Sequence, residues 1–425
     1  MSIIQKKASL TYFQDSRLLL LGVKLKVFKN IVQFGLSEIL NKLVPLITAL
    51  LLAKSLGAED FGKLSLLLIL NEISFIVISN NVSATFRVNY FTKNIKEFNR
   101  LIKEHYSYSL LMFMIMTLLF IVAAVYFEYT PLIILPLIAI FRAFSNGGLA
   151  ILQCKGAGTS YLLVQLLYSI SFLIILYLSF ELGIISWFIG ITSATLIQFI
   201  AVVHFNAKTD NSTNYKWVTP TLATAKFGWA FMPQAIGWWT KSGLERLIIG
   251  SVFGTILLGN YVLAFQIVSL LLFGVTAINL TLVPIIGKKV NTREFSYLNR
   301  LYLISTCLVL IGALILFFIA KLALNQYFSD YILSKDYIIF ALFSLVPHAI
   351  SLILVNELYF LKQEKLVAKL ILSIFICQSI VSYAFAQFFE VEVLFISSAV
   401  FSALLTVSLA IKIKDNRRNS YIKES

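Results

Sequence analysis

The feature that most constrains this chain is a succession of long apolar runs, each about as long as the roughly 20 residues that cross a bilayer as a helix. Cutting at polar islands and at Gly or Pro gives about twelve such segments: 31–56, 61–88, 105–127, 131–152, 160–182, 184–204, 224–252, 257–286, 298–320, 332–359, 366–388 and 391–411. A membrane barrel would show short alternating strands instead. The composition agrees, with 59% hydrophobic and 13% charged residues and a mean hydropathy of +0.88, whereas ordinary globular domains are about half apolar and a quarter charged. The expectation is an all-α polytopic membrane protein.

The net charge of +15 would point to nucleic acid in a soluble domain. Here the basic residues lie between apolar segments, where they orient helices and meet anionic headgroups, so the bilayer is the expected partner and nucleic acid is not. Placing the N-terminus in the cytoplasm puts 27 of the 35 Lys and Arg on that side and leaves Lys54, Lys63, Lys321 and Lys335 on the other. An even number of helices with both termini cytoplasmic follows from that asymmetry. Cys154, Cys307 and Cys377 show neither a disulfide framework nor metal spacing and read as buried free thiols. No P-loop, zinc site or nucleophile triad emerges, so neither a metal, a cofactor nor an enzyme activity is expected.

A polar island, Gly57-Ala58-Glu59-Asp60-Phe61-Gly62, interrupts the first two segments, and its Gly-x4-Gly spacing returns at Gly254 and Gly259. Pro136-x9-Asn146 and Pro347-x9-Glu357 add a second match. These spacings predict two six-helix bundles related as parallel repeats around a central cavity, an arrangement that supports alternating access. The expected organisation is a basic arm (1–30), a first bundle (31–204), a cytoplasmic linker (205–223), a second bundle (224–411) and a basic tail (412–425). Asn211-Ser212-Thr213 matches the glycosylation sequon by chance, because its loop is assigned to the cytoplasm.

Ionisable side chains inside a membrane cost about 2.5–3.5 kcal/mol at the helix centre and normally face a bundle interior or water-filled cavity. The segments contain Glu38, Lys42, Glu72, Arg142, Lys241, Glu245, Arg246 and Glu357, too many to face lipid, and a shared hydrated cavity is expected. Glu38–Lys42 and Lys241–Glu245 are four apart, so each pair either neutralises itself or serves a cargo. Arg142 and Arg246 lack a sequence neighbour on their own helix face, and a guanidinium fork suits phosphate. Trp238, which shares a face with Lys241 and Glu245 by spacing, offers either a flat surface for a sugar ring or plain packing. Pro233, Gly237 and Gly243 predict a bend in the same helix.

The run Leu56-Gly57-Ala58-Glu59-Asp60-Phe61-Gly62-Lys63-Leu64, together with Glu245-Arg246-Leu247-Ile248-Ile249-Gly250 and Gly254-x4-Gly259-Asn260-Tyr261, resembles the patterns of Wzx-type polysaccharide-unit flippases. These belong to the multidrug/oligosaccharidyl-lipid/polysaccharide exporter superfamily. With length and topology the resemblance covers nearly the whole chain. It implies transfer of undecaprenyl-pyrophosphate-linked oligosaccharide repeat units across the bacterial cytoplasmic membrane for O-antigen or capsule. It also implies Lys42, Arg142, Lys241 and Arg246 as substrate contacts, which Trp238 joins on the reading of its ring face above, and Glu38, Glu72, Glu245 and Glu357 as counter-charges or coupling sites for protons or sodium ions. A polysaccharide polymerase and chain-length proteins are implied partners. A multidrug/cation antiporter of the same superfamily is the nearest alternative, although the mixed charge set leans toward an anionic headgroup. A peptidoglycan-precursor flippase would carry two more helices, and a polysaccharide polymerase would need a large outer loop.

Overall fold

A computed structural model describes residues 3–207, 226, 228–229 and 232–422. Most of the expected linker, with the Asn211 sequon, lies outside the described residues, as does the side chain of Lys42. Every described element is helical: α1 (Ile3–Ser79), α2 (Val82–Tyr90), α3 (Ile95–Tyr126), α4 (Ile134–Cys154), α5 (Gly158–Leu178), α6 (Ile184–Ala207), α7 (Met232–Trp239), a π-helical turn (Thr240–Leu244), α8 (Glu245–Val252), α9 (Thr255–Val268), α10 (Leu270–Asn291), α11 (Phe295–Tyr327), α12 (Ser334–Phe360), α13 (Glu364–Ala386) and α14 (Glu392–Ile422), with short 3-10 turns before α4 and α6. Helix is the form that satisfies every backbone donor and acceptor within the segment, as hydrocarbon requires.

Ten stretches have the length and hydropathy of a membrane span. One of them, Val32–Tyr90, holds two crossings because the chain turns at Gly57. Residues 232–252 form another, whose hydropathy is held down by Lys241, Glu245 and Arg246. Twelve crossings result among the described residues, within a multi-pass membrane protein. Several segments are less regular than their hydropathy implies. The second is broken at Asn80 and Asn81, both with positive φ, while the eighth passes from α9 to α10 at Ser269 with its backbone still helical. The seventh carries the π turn where its glycines predicted a bend. At its first end, the chain is helical from Ile3 through the expected arm, and at its last end α14 runs to Ile422, past the expected boundary at 411.

The two polar islands fold into one structure. Gly57 has φ 71° and ψ 176°, and Gly254 has φ 88° and ψ 171°, a region that excludes most side chains and turns the chain sharply between helices. A Cβ on Gly62 would lie 2.0 Å from the carbonyl oxygen of Thr255, and one on Gly259 would lie 1.8 Å from that of Ala58. Thr255 follows Gly254 and Ala58 follows Gly57, so each corner presses its second glycine onto the backbone just after the other's first. This reciprocity is what two related halves meeting about a local two-fold axis produce. The proline match does not share it: Pro136 stands in the first turn of α4, whereas Pro347 lies in the middle of α12.

Near the same corner the Tyr331 hydroxyl donates to the Ala53 carbonyl at 2.6 Å, and its ring meets Phe61 edge to face. From there the halves stay in contact along one seam, where α1 beyond Gly57 meets the seventh crossing. The Trp239 indole donates to the Ile69 carbonyl, and Gly228 fits against Asn80. On the other side they part. The helix α9 packs on α1, but its continuation α10 packs on α11 and α12 of its own half, and Leu36, Leu43, Ile47 and Leu51 on the first leg of α1 stay exposed. The halves are thus sealed at the end opposite the termini. Cys307 and Cys377 are exposed along the bundle surface rather than buried.

Candidate functional site

The intramembrane charges separate into three groups that linear spacing did not distinguish. In the first half, Arg142 of α4 donates to Glu72 Oε1 of α1 at 2.7 Å, and its guanidinium lies 4.4 Å from the centre of the Phe75 ring. Its partner is 70 residues away in sequence, so an arginine that looks isolated along its own helix is paired across helices. Arg142 is surrounded by protein yet part-accessible, and Glu72 is half exposed, so the pair is reachable from outside the protein core. Glu38 accepts a 3.2 Å hydrogen bond from the Tyr161 hydroxyl.

The second group occupies the seventh crossing. Gly237 allows that helix to press on α13, where an added Cβ would lie 2.8 Å from Ile371. The π turn follows at once, and such turns insert one extra residue and commonly mark functional positions. Lys241, inside the turn, is buried and donates to Ser402 Oγ of α14 at 2.6 Å. Its ammonium also faces the Phe375 ring, against which Trp238 packs at 5.6 Å, and Trp238 meets His348 edge to face at 4.9 Å. Trp238 is therefore held by packing on one side and part-accessible on the other.

Glu245 is also buried, and its Oε1 makes no hydrogen bond. Lys241, Tyr261 and Ser398 are its electrostatic neighbours, and Ser398 in turn bonds Ser344 at 2.6 Å. Arg246 follows directly. It makes no hydrogen bond or ion pair among the described residues, its electrostatic neighbours being Tyr261 and Glu245, and it too is enclosed but part-accessible. A guanidinium with five donors and no acceptor partner is a ready anion site.

In the third group Glu357 is a counter-charge, and its partner is Arg417. This carboxylate is fully buried and closed off from the cavity by Arg417, which donates to both its oxygens at 2.7 and 2.6 Å, and by the Tyr302 hydroxyl at 2.8 Å. Arg417 also donates to Asn299 and lies over the Phe295 ring. Both carboxylate oxygens are hydrogen-bonded, as a buried ion pair needs. Glu357 therefore fastens the end of α14 to α11 and α12. Sequence reasoning placed Arg417 in a solvated tail; the pairing gave no local signal, since its members are 60 residues apart. The serine seam of Ser344, Ser398 and Ser402 was also missed, although Ser398 and Ser402 repeat at helical spacing in an otherwise apolar segment.

No family model matches the chain. It is similar to "Lsg locus putative protein 1" of Haemophilus influenzae, at 23% identity over 360 residues, covering 81% of this chain and 88% of that protein. Among solved structures it is similar to the inward-facing conformation of a multidrug resistance MATE family transporter of the MOP superfamily, with a TM-score of 0.69, 13% identity, and 92% and 99% of the two chains covered. The outward-facing conformation of a transporter of that family matches with a TM-score of 0.62 and 15% identity, covering 93% and 97%. At these identities the likeness establishes a shared fold, that of the MOP-superfamily transporters.

Proposed function

We propose that this protein is a flippase that moves lipid-linked oligosaccharide units, joined to the polyprenyl carrier through pyrophosphate, between the leaflets of a bacterial cytoplasmic membrane. The observation that carries this reading is Arg246, an enclosed but accessible guanidinium without a carboxylate partner. A cavity built for cationic drugs would be expected to present unpaired carboxylates alone, whereas here, beside the unpartnered Oε1 of Glu245, a guanidinium also stands without a hydrogen bond or ion pair among the described residues. The Wzx-like motifs at Gly57 and Glu245 and the relative named for the Lsg locus support the same reading. With both termini in the cytoplasm, as the charge asymmetry favours, the sealed end is external and the cavity is open to the leaflet where such substrates are made.

In this reading Arg246 binds the pyrophosphate and Arg142, held by Glu72, stands as a second cationic contact, with Trp238 offering a ring face to sugar. Glu245, whose Oε1 lacks a partner, and Lys241 form the coupling site, because a proton or small cation on Glu245 would complete its coordination. Outward opening requires the Gly62–Thr255 and Gly259–Ala58 contacts and the Tyr331–Ala53 hydrogen bond to separate. That separation breaks the Tyr331–Ala53 hydrogen bond and the packing around it, contacts that two packed states can exchange.

The test is surface-polysaccharide production in cells whose only copy carries Arg246→Ala or Arg142→Ala. Expression at normal levels with polysaccharide lost is the expected outcome. Full production by both variants would remove the cavity assignment, and drug efflux retained by the protein with no effect on polysaccharide would favour the antiporter.

A further inference from the structure

Outside the charged site, one concave feature of the bundle has no partner. A cavity of 260 Å³ runs between α10 and α11, lined wholly by aliphatic side chains and two glycines. Its floor is buried (Leu271, Val275, Val309 and Leu316), while Leu308 and Ile315 form exposed lips at 51% and 54% accessibility. The lining residues repeat every three or four positions, so one face of each helix makes the groove. Its depth comes from Gly274, beside which a Cβ would meet nothing within 4 Å, and from Gly312 opposite, where a Cβ would touch only Leu271 at 3.4 Å.

Its position matters more than its volume. The groove begins at Leu270, near where the eighth crossing, still helical at Ser269, leaves its contact with α1 and follows its own half. It therefore continues laterally from the point where the two halves part. Both walls belong to membrane spans, so its occupant is hydrocarbon. A transmembrane helix, roughly 10–12 Å across, is too wide for this space. A single chain fits, and the side bays above the two glycines suit methyl branches better than a smooth acyl chain.

The geometry points to the α10–α11 groove as the binding site for the polyprenyl tail of a lipid whose anionic headgroup sits in the cavity. The headgroup half of this statement rests on the flippase reading; the tail half rests on the groove alone. A substrate held this way keeps its hydrocarbon in the bilayer while its polar end turns between the halves. Transfer then needs no exposure of the tail to water, which costs free energy in proportion to the apolar surface exposed.

The experiment uses the full chain in phosphatidylglycerol nanodiscs, photolabelled with a diazirine-bearing C55 prenol and, separately, with its pyrophosphate. The prenol should label peptides containing 270–278 and 308–319. Gly274→Phe, which fills open space, and Ile315→Trp, at an exposed lip, should each reduce that labelling by about tenfold, as loss of a few buried methylenes implies. Labelling that is undiminished in both variants, or that a diazirine-bearing dioleoyl phosphatidylglycerol matches at equal mole fraction, would overturn the proposal. The pyrophosphate should label the groove more strongly than the prenol, with the gain lost in Arg246→Ala. If that gain is absent while prenol labelling persists, the headgroup reading fails and the groove stands.

Discussion

The two halves share one corner but treat their charges differently. At Gly57 and Gly254 the backbone takes nearly the same angles, and each corner seats its glycine on the other's carbonyl. Away from the corner the likeness ends. The first half pairs Arg142 with Glu72 across two helices in a partly open setting. The second buries one carboxylate under a bidentate arginine at Glu357–Arg417 and leaves Arg246 with no hydrogen bond or ion pair among the described residues. The lesson is that the duplicated element is the joint between the halves, where geometry tolerates almost no change. The charges are not duplicated, and their three environments make their removal cost very different amounts.

Arg417→Ala should be the most damaging substitution for stability, because it leaves Glu357 buried and unpaired, at a cost of about 3–5 kcal/mol. Thermal unfolding of the purified protein in detergent would measure it, and a paired Glu357→Leu, Arg417→Leu variant should recover most of the loss. Next come Gly62→Ala and Gly259→Ala. Each places a methyl group on a backbone carbonyl and should cost about 1–3 kcal/mol through overpacking. If the corner is a true two-fold joint, their midpoints should fall by similar amounts; a large difference would break the comparison between the halves. Gly35→Ala, with nothing within 4 Å of the new atom, serves as the control and should be neutral or slightly stabilising.

Smaller still is Arg142→Ala. A partly exposed pair contributes about 0–1 kcal/mol, so its unfolding should change little while transport is lost. Arg246→Ala should change stability no more than this, having no ion pair to lose. The smallest effect belongs to Lys63→Ala. Lys63 contacts Glu59 and Asp60 at 2.9 and 3.0 Å, but all three side chains are about half exposed, and stability should move by no more than about 0.5 kcal/mol. A larger drop would mean that the island's charges, and not only its glycines, support the joint.

Much of the fold was legible because hydrophobic length is a local property. Apolar runs located the crossings, and Gly-x4-Gly located the corner, since the backbone itself needs glycine there. Other signals were deceptive for the same local reason. Pro136 and Pro347 matched in spacing but lie at different depths of their helices, and a proline's effect depends on where in the helix it falls. Trp238, Lys241 and Glu245, by contrast, were placed on one face by spacing and stay neighbours through the π turn, Trp238 and Lys241 both meeting Phe375 and Lys241 facing Glu245. Glu357 looked like a cavity charge only because its partner belongs to the last helix.

By itself, the sequence determined that this chain crosses a membrane many times as helix, where it turns most sharply, and which residues carry charge into the hydrocarbon. It could do so because burying backbone and placing glycine at a turn are decided within a few residues. Which charges neutralise each other and which remains available was decided only by tertiary structure. Pairing depends on side chains 60 or 70 positions apart meeting within about 3 Å, and at that range a difference of one helical turn separates a structural clamp from an open anion site.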